Sequence, residues 1–285
     1  MSQGKERLDA LLVEQGYFDS REKAKAAIMA GLVCANGEKV DKPGTKLSRD
    51  VRITVKGAPH PYVSRGGLKL EKALRLFGID LRGAVVIDVG ASTGGFTDCA
   101  LQHGASLVYA VDVGYNQLDW KLRNDPRVVV MERTNFRYAE PDILPGPKPT
   151  FATVDVSFIS LSLMFGPLRA ILAPTGEAVV LIKPQFEAGR DKVGRAGVVR
   201  DPKTHRDVLR SVLKSAVECG FWTKGLTFSP ITGGDGNVEF LAHLTANGND
   251  PSVLTPAAME AAIENVVRES SETFASRTHP GRFPG

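Results

Sequence analysis

A run of small residues, Gly90-Ala91-Ser92-Thr93-Gly94-Gly95, follows the apolar stretch Ala84–Val89, whose one charged residue is Asp88. Asp112 closes the next apolar stretch, 22 residues after Gly90. Glycines let a backbone pass close to a ligand, and an acid about 20 residues on can hold ribose hydroxyls. Nicotinamide dinucleotides and S-adenosylmethionine both use that geometry. The dinucleotide fingerprint needs a glycine where Ala91 and Ser92 stand, so it is absent. Four more charged residues recur where strands end. Asp155 closes a fourth apolar run and Lys183 a fifth, Glu239 lies in the last, and Lys69 precedes them all. Two ammonium groups and two carboxylates brought together could align a hydroxyl and move its proton. Taken singly each has a bland reading: Asp155 as a helix cap, Lys183 as a snorkelling strand-end lysine, Lys69 and Glu239 as surface charges.

The elements that must position these residues read as an α/β doubly wound sheet. Strand-like runs fall at Ala84–Val89, Leu107–Val111, Val128–Met131, Phe151–Val154 and Glu177–Ile182, with helical segments between several of them. Carboxyl ends of parallel strands are where such a sheet places its ligands. Two late runs, Leu226–Phe228 and Val238–Leu244, have only the turn Gly233-Gly234-Asp235-Gly236 as a glycine-rich break between them, which predicts an antiparallel hairpin at the sheet edge. Residues 187–203 carry five cations (Arg190, Lys192, Arg195, Arg200, Lys203), three acids and three glycines, a candidate lid over a polyanion. Pro256–Arg268 reads as a helix capped by Thr255, with residues 270–285 frayed.

Ahead of this lies a small α+β module. Leu8, Leu11 and Leu12 have helical spacing, closed by Gly16; Ser20 opens a second helix with Ala24, Ala27 and Ile28 on its apolar face, ended by Gly31. Leu32–Ala35, the turn Asn36-Gly37 and the alternation Val51, Ile53, Val55 predict short strands. Residues 1–57 form this module, 58–63 a proline-stiffened linker, 64–246 the large domain and 247–285 a helix and tail.

Charge separates the two parts. Residues 1–60 hold 11 Lys/Arg against 8 Asp/Glu, and the other 225 residues hold 25 against 24. A basic module on a nearly neutral domain suits a polyanion. Cys34, Cys99 and Cys219 are too far apart for a disulfide framework or a zinc site and read as thiols in a reducing cytoplasm; no metal is expected. The N-terminal residues lack the apolar core of a signal peptide, and no run approaches the roughly 20 apolar residues needed to span a bilayer, so no membrane partner is expected.

Several stretches resemble known families. Residues 7–47, through Arg7-Leu8-Asp9, Ser20-Arg21, Ala24, Gly31-Leu32-Val33, Asn36-Gly37 and Lys42-Pro43, resemble the αL RNA-binding domain of a small-subunit ribosomal protein, tyrosyl-tRNA synthetases and pseudouridine synthases. That resemblance implies RNA contacts from Arg7, Arg21, Lys23, Lys25 and Lys42. Asp88–Gly95 looks like motif I of the class I methyltransferases, implying a Rossmann-like fold and S-adenosylmethionine as cofactor. Amine methylases carry Asn/Asp-Pro-Pro-Tyr/Phe where this chain has Asp155-Val156-Ser157-Phe158, and cytosine-C5 methylases need a cysteine that the ends of strands four and five lack. Lys69, Asp155, Lys183 and Glu239, in that order, resemble the tetrad of FtsJ-like ribose 2′-O-methyltransferases. With residues 64–74, 88–98, 132–137, 154–161 and 234–240, the chain from about residue 5 to 245 resembles the TlyA family, which methylates a cytidine ribose in ribosomal RNA. The resemblance implies ribosomal RNA or ribosomal subunits as partner, a cofactor site of Asp88, Gly90, Ala91, Ser92, Gly94, Gly95, Phe96, Asp112, Asn135 and Asp155, and an RNA contact at Arg65. Some members of the family carry the label haemolysin. Two other classes therefore stand beside the enzyme: a ribosome-assembly factor with a vestigial fold, against which the intact tetrad argues, and a haemolysin, for which no apolar span or strongly amphipathic basic helix speaks.

Overall fold

The computed structural model describes residues 6–278 apart from 15, 16, 19, 49, 50, 52, 56–59, 190, 191, 195, 196, 234 and 235, and without the side chains of 23, 54 and 275–278. Gly16, Gly234, Asp235, Arg190 and Arg195 therefore lie outside the described residues, as does the Lys23 side chain. The chain divides into two compact units, Met1–Pro61 and Tyr62–Gly285.

In the first unit, β1 (Glu6–Arg7) leads into α1 (Leu8–Glu14), followed by α2 (Arg21–Met29), β2 (Val33–Ala35), β3 (Glu38–Lys39), β4 (Lys46–Leu47) and β5 (Ile53–Val55). Leu8, Leu11 and Leu12 of α1 close on Ala24, Ala27 and Ile28 of α2, with Val33 and Ile53 completing the core. Asn36 (φ 52°) and Gly37 (φ 87°) both take left-handed backbone between β2 and β3, as a two-residue hairpin requires. β5 pairs antiparallel with the other edge of β2.

The second unit opens with α3 (Gly66–Phe77), then β6 (Val85–Val89), α4 (Gly95–Gln102), β7 (Leu107–Val111), α5 (Trp120–Arg123) and β8 (Val128–Met131). There follow β9 (Phe151–Val154), α6 (Ser162–Ile171), β10 (Glu177–Ile182), α7 (Pro184–Glu187), α8 (Pro202–Glu218), β11 (Trp222–Phe228), β12 (Phe240–Thr245) and α9 (Pro256–Thr278). The seven strands lie in the order β11-β12-β10-β9-β6-β7-β8, and β12 pairs antiparallel with both β10 and β11. The strand side chains alternate between two cores. Ile87, Val89, Tyr109 and Val180 face α6, α8 and α9, whereas Val86, Val108, Val179 and Leu181 face α3, α4 and α5. Burial on both faces is why these strands read as unbroken apolar runs. The chain order reverses between β6 and β9, and the carboxyl ends flanking such a reversal form a crevice.

Three expectations need correction. The stretch 58–63 does not end as a linker. Tyr62 is buried against α3, its hydroxyl donates to Glu71 at 2.9 Å, and the Val63 N–H donates to Asp98 Oδ2 at 2.8 Å. The C-terminal helix is longer than its cap-to-Arg268 pattern implied: it runs to Thr278, with Ser270 fully buried, so residues 270–278 are not frayed. Ile263, Val266 and Val267 anchor it in the core beneath α8, and Arg206 reaches Glu264 at 2.7 Å. Thr255 Oγ1 does cap it, accepting from Ala258 N–H at 3.2 Å. Within 187–203, finally, the later part is docked rather than open. Val198 and Val199 are buried, and the Asn237 side chain accepts from Val199 N–H and donates to the Gly197 carbonyl, both at 2.9 Å.

Candidate active site

One helix and three strand-end segments converge at the carboxyl ends of β6, β9 and β10. Lys69 sits one turn into α3, Asp155 one residue past β9, and Lys183 one residue past β10. Glu239 lies just before β12 rather than within it, and it is 3% exposed, which removes the reading of a solvent-facing strand residue. Lys69 Nζ stands 2.7 Å from Glu239 Oε2 and 3.9 Å from Asp155 Oδ2, while Lys183 Nζ stands 2.5 Å from Asp155 Oδ1. The Lys183 ammonium also donates to Ser157 Oγ at 2.9 Å. The four charges thus form one chain, Glu239–Lys69–Asp155–Lys183, with no net charge. Burying two ammonium groups is tolerable because each has a carboxylate beside it.

Two cavities meet at this chain. One is lined by Lys69, Lys183, Glu239, Arg65, Gln185 and Phe186. The other, about 450 Å³, has Asp112, Asn135 and Gln117 as polar groups and Val113, Phe136, Phe158 and Met164 as apolar walls. That size suits a small organic molecule. Gly90, Ser92, Asp155 and Ser157 border both cavities. A molecule bound in one would meet a molecule bound in the other beside Asp155.

The second cavity suits an adenosine. Asp112 Oδ2 accepts from Ser92 N–H at 2.8 Å and Oδ1 accepts from Gly114 N–H at 2.7 Å, which fixes the carboxylate and leaves each oxygen a further lone pair for a hydroxyl. Ser92 pays for this contact with left-handed backbone, φ 50°. Gly90 (φ 85°) is required by the protein itself, because a Cβ there would stand 2.4 Å from the Asp155 carbonyl oxygen. Asn135 borders the cavity and its side chain accepts from Arg137 N–H at 3.2 Å. Ala91, Gly95 and Phe96 face the tetrad cavity instead. Gly94 (φ 98°) faces Leu118 and Leu122, where a Cβ would come within 2.3 Å of Leu122.

Asp88 does not reach either cavity. It is fully buried, accepting from Thr97 Oγ1 at 2.6 Å and Thr153 Oγ1 at 2.8 Å, so it ties α4 and β9 to β6 instead of contacting a ligand. Burial pushes its carboxyl up to about 6, against the two threonine hydrogen bonds that pull it down.

The sequence matches two family models, an FtsJ-like methyltransferase over residues 62–246 and an S4 domain over residues 6–53. The chain belongs to the FtsJ-like methyltransferase family. YqxC of Bacillus subtilis is 57% identical over 97% of this chain and 98% of its own length. The Mycobacterium tuberculosis protein named 16S/23S rRNA (cytidine-2′-O)-methyltransferase TlyA is 40% identical over 92% of this chain and 97% of its own. A solved structure from Streptococcus thermophilus, described as a hemolysin, is 51% identical, covers 97% of this chain and 99% of its own, and superposes with a TM-score of 0.75. No described helix is long and apolar enough to cross a membrane. An FtsJ-like domain implies S-adenosylmethionine as the methyl donor, and the cavity of about 450 Å³ beside Asp112 has room for one.

In the S4 domain, the RNA-contact candidates divide. Arg7 grips Asp9 with two hydrogen bonds of 3.0 Å, and Arg21 reaches the same carboxylate at 3.1 Å. Asp9 is completely buried, and the Arg7 hydrogen bond, with help from Arg21, lowers its carboxyl to about 2. Both guanidinium groups nonetheless stay about half exposed, so one arginine face can hold Asp9 while the other meets solvent. Lys25 is half-buried and Lys42 exposed. Arg65 is exposed at the start of α3 and borders the tetrad cavity. Ser157, Gln185 and Phe186 border it too and escaped the sequence reading, although Ser157 lies two residues from Asp155.

Proposed function

We propose that this methyltransferase acts on a ribose 2′-hydroxyl of a cytidine in ribosomal RNA, using S-adenosylmethionine. The observation that carries the reading is the chain Glu239–Lys69–Asp155–Lys183 at the junction of an adenosine-sized cavity and a charged one. The names of the TlyA relatives supply the cytidine and the ribosomal RNA.

Asp112 and Asn135, with Gly90, Ser92 and Asp155 at the rim, would hold the cofactor, while Ala91, Gly94, Gly95 and Phe96 shape the loop. Bound there, S-adenosylmethionine supplies a methyl group already activated by its sulfonium. A ribose hydroxyl is a weak nucleophile, so the protein's task is alignment and removal of one proton. Lys183 is the residue placed for both. Asp155 holds its ammonium at 2.5 Å, so Lys183 first orients the hydroxyl and takes its proton only after passing one of its own to solvent water. Lys69, held by Glu239 at 2.7 Å, steadies Asp155 from the other side. Arg65 and the S4-domain cations Arg7, Arg21, Lys23, Lys25 and Lys42 would meet RNA phosphates, which are read by shape and charge.

The test is methylation of ribosomal subunits or their RNA with labelled S-adenosylmethionine, followed by alkaline digestion. A 2′-O-methyl blocks cleavage of the adjacent phosphodiester, and a base methyl does not. Lys183→Ala should lower the rate at least about 100-fold with little change in cofactor or RNA affinity. Lys183→Arg should fail as well, since a guanidinium does not give up its proton. An alkali-sensitive, base-methylated product would overturn the ribose reading; an alkali-resistant uridine or guanosine would overturn only the choice of cytidine.

A further inference from the structure

A lysine side chain ends in a nitrogen that a single ion pair cannot orient, because the head group can swing about the one contact that holds it. Lys183 has a second contact. Its Nζ lies 2.5 Å from Asp155 Oδ1 and donates to Ser157 Oγ at 2.9 Å. An sp³ nitrogen bonded to Cε has three remaining positions. Ser157 takes one of them, and Asp155 lies against the ammonium as an ion pair without an aligned hydrogen bond, so the serine is the contact that sets the direction of the positions left for a substrate hydroxyl.

The loop that carries Ser157 is built to keep it still. At its start the Asp155 N–H donates to the Val89 carbonyl at 2.9 Å. Phe158, directly after Ser157, holds left-handed backbone with φ 63°, and its largely exposed ring meets Phe186 of α7 at 4.8 Å between centroids. At the far end Glu187 accepts from Leu161 N–H at 2.8 Å and from Ser160 Oγ at 2.7 Å. Glu187 is also the last residue of α7, and α7 begins directly after Lys183. Both ends of the Lys183–Ser157 hydrogen bond are therefore tied to each other a few residues away. Ser157 is exposed and borders both cavities, so it stands where the two reactants would meet.

We propose that Ser157 is a positioning residue that aims Lys183 at the acceptor hydroxyl, an inference that rests on the methyl-transfer reading above. Ser157→Ala removes one of the two partners and leaves Asp155 alone to hold the ammonium. The expected result is a kcat lower by about 10- to 100-fold, the range for misplacing a reacting group by about an ångström. KM for RNA and the calorimetric Kd for S-adenosylmethionine should stay within about twofold, since a transition-state contact moves kcat alone. Ser157→Thr, which keeps the hydroxyl, should recover most of the rate. A serine that merely fills space would show the opposite order, with Ala tolerated better than the bulkier Thr. If Ser157 instead occupies the position of the substrate hydroxyl and must be displaced, Ser157→Ala would lower KM and leave or raise kcat, which overturns the proposal. Crystals of Ser157→Ala give a second, independent readout. Lys183 should adopt more than one rotamer there, and an unmoved, singly ordered Lys183 also overturns it. Wild-type protein inactive on any ribosomal RNA would defeat the methyl-transfer reading, while the order of Lys183 in those crystals would still decide the positioning role.

Discussion

Asp88 and Asp112 are both acids at the ends of neighbouring apolar runs, yet one supports the site from beneath and the other lines it. The difference is a single step of strand geometry. Asp88 is the fourth residue of β6 and its side chain shares the inner face with Val86, whereas Asp112 comes one residue after β7 and is free to turn toward the loop. The alternation of strand side chains could have separated them in the sequence; the resemblance alone, which placed Asp88 with the cofactor ligands, could not. The consequence is a pH dependence. Asp88 has a folded value of about 6, above the 3.8 of an unperturbed aspartate, because burial outweighs its hydrogen bonds from Thr97 and Thr153. A raised carboxyl favours the folded state only while protonated. Its contribution is complete below pH about 4, falls as pH rises to about 6, and is gone above that. The shift of roughly two units corresponds to about 3 kcal/mol. Asp88→Asn lacks this loss, so its melting temperature relative to wild type should rise by several degrees between pH 4 and 7. A constant difference across that range would mean that Asp88 is not a buried, titrating carboxyl. Asp112→Ala acts on binding instead. It removes the acceptor for Ser92 and Gly114 N–H as well as for a ribose, and calorimetry should find cofactor binding weaker by about 1.5–3 kcal/mol.

At the scale of elements, what was legible in the sequence was local. The α1 and α2 helices could be read from apolar spacings of three and four residues, the hairpin turn from Asn36-Gly37, and each parallel strand from its short unbroken apolar run. Contacts across elements could not. Nothing in the sequence pairs Asp9 with Arg21, 12 residues on, although that contact joins the two helices of the S4 domain. It gives Arg21 a structural task besides any RNA contact, and Lys25, which has no ion pair among the described residues, separates the two effects. Asp9, lowered to about 2, contributes stability above pH about 4 and loses it as pH falls through 2. Arg21→Ala should therefore lower the thermal stability of the first unit by about 1.5–3 kcal/mol, the size of a hydrogen bond to a charged group. Lys25→Ala should leave stability unchanged and reduce the slope of log affinity against log salt by about one. Arg21→Ala with unaltered stability would show that Asp9 does not depend on it.

For the whole molecule, the α/β class and the edge hairpin were legible because strands buried on both faces and glycine turns leave strong marks. The boundary between the units was not, because Tyr62 and Val63 follow prolines and have no periodic neighbours to announce that they pack. α9 was read short for the same reason, since its buried aliphatic anchors among the described residues, Ile263, Val266 and Val267, all precede Arg268. Among the described residues, the core of the first unit is built from Leu8 to Ile53 and the cores of the second from Tyr62 onward. Removing residues 1–61 should therefore leave a folded methyltransferase unit whose S-adenosylmethionine affinity is unchanged. Its RNA affinity should fall, and its salt dependence should flatten, because the cations of the S4 domain no longer release counterions. Where the cut falls matters. A chain starting at residue 64 loses the Tyr62 ring, which lies against Gly67, the Tyr62–Glu71 hydrogen bond and the Val63–Asp98 one. Loss of a buried aromatic costs about 3 kcal/mol or more. The two truncations should thus differ by several degrees in melting temperature while both lack the RNA-binding domain, and the longer one should bind cofactor as the full chain does. Equal stability would move the boundary back to residue 64 and make Tyr62 part of a connection after all. Full-rate methylation of ribosomal RNA by the longer truncation would show that the S4 domain is not what delivers the substrate.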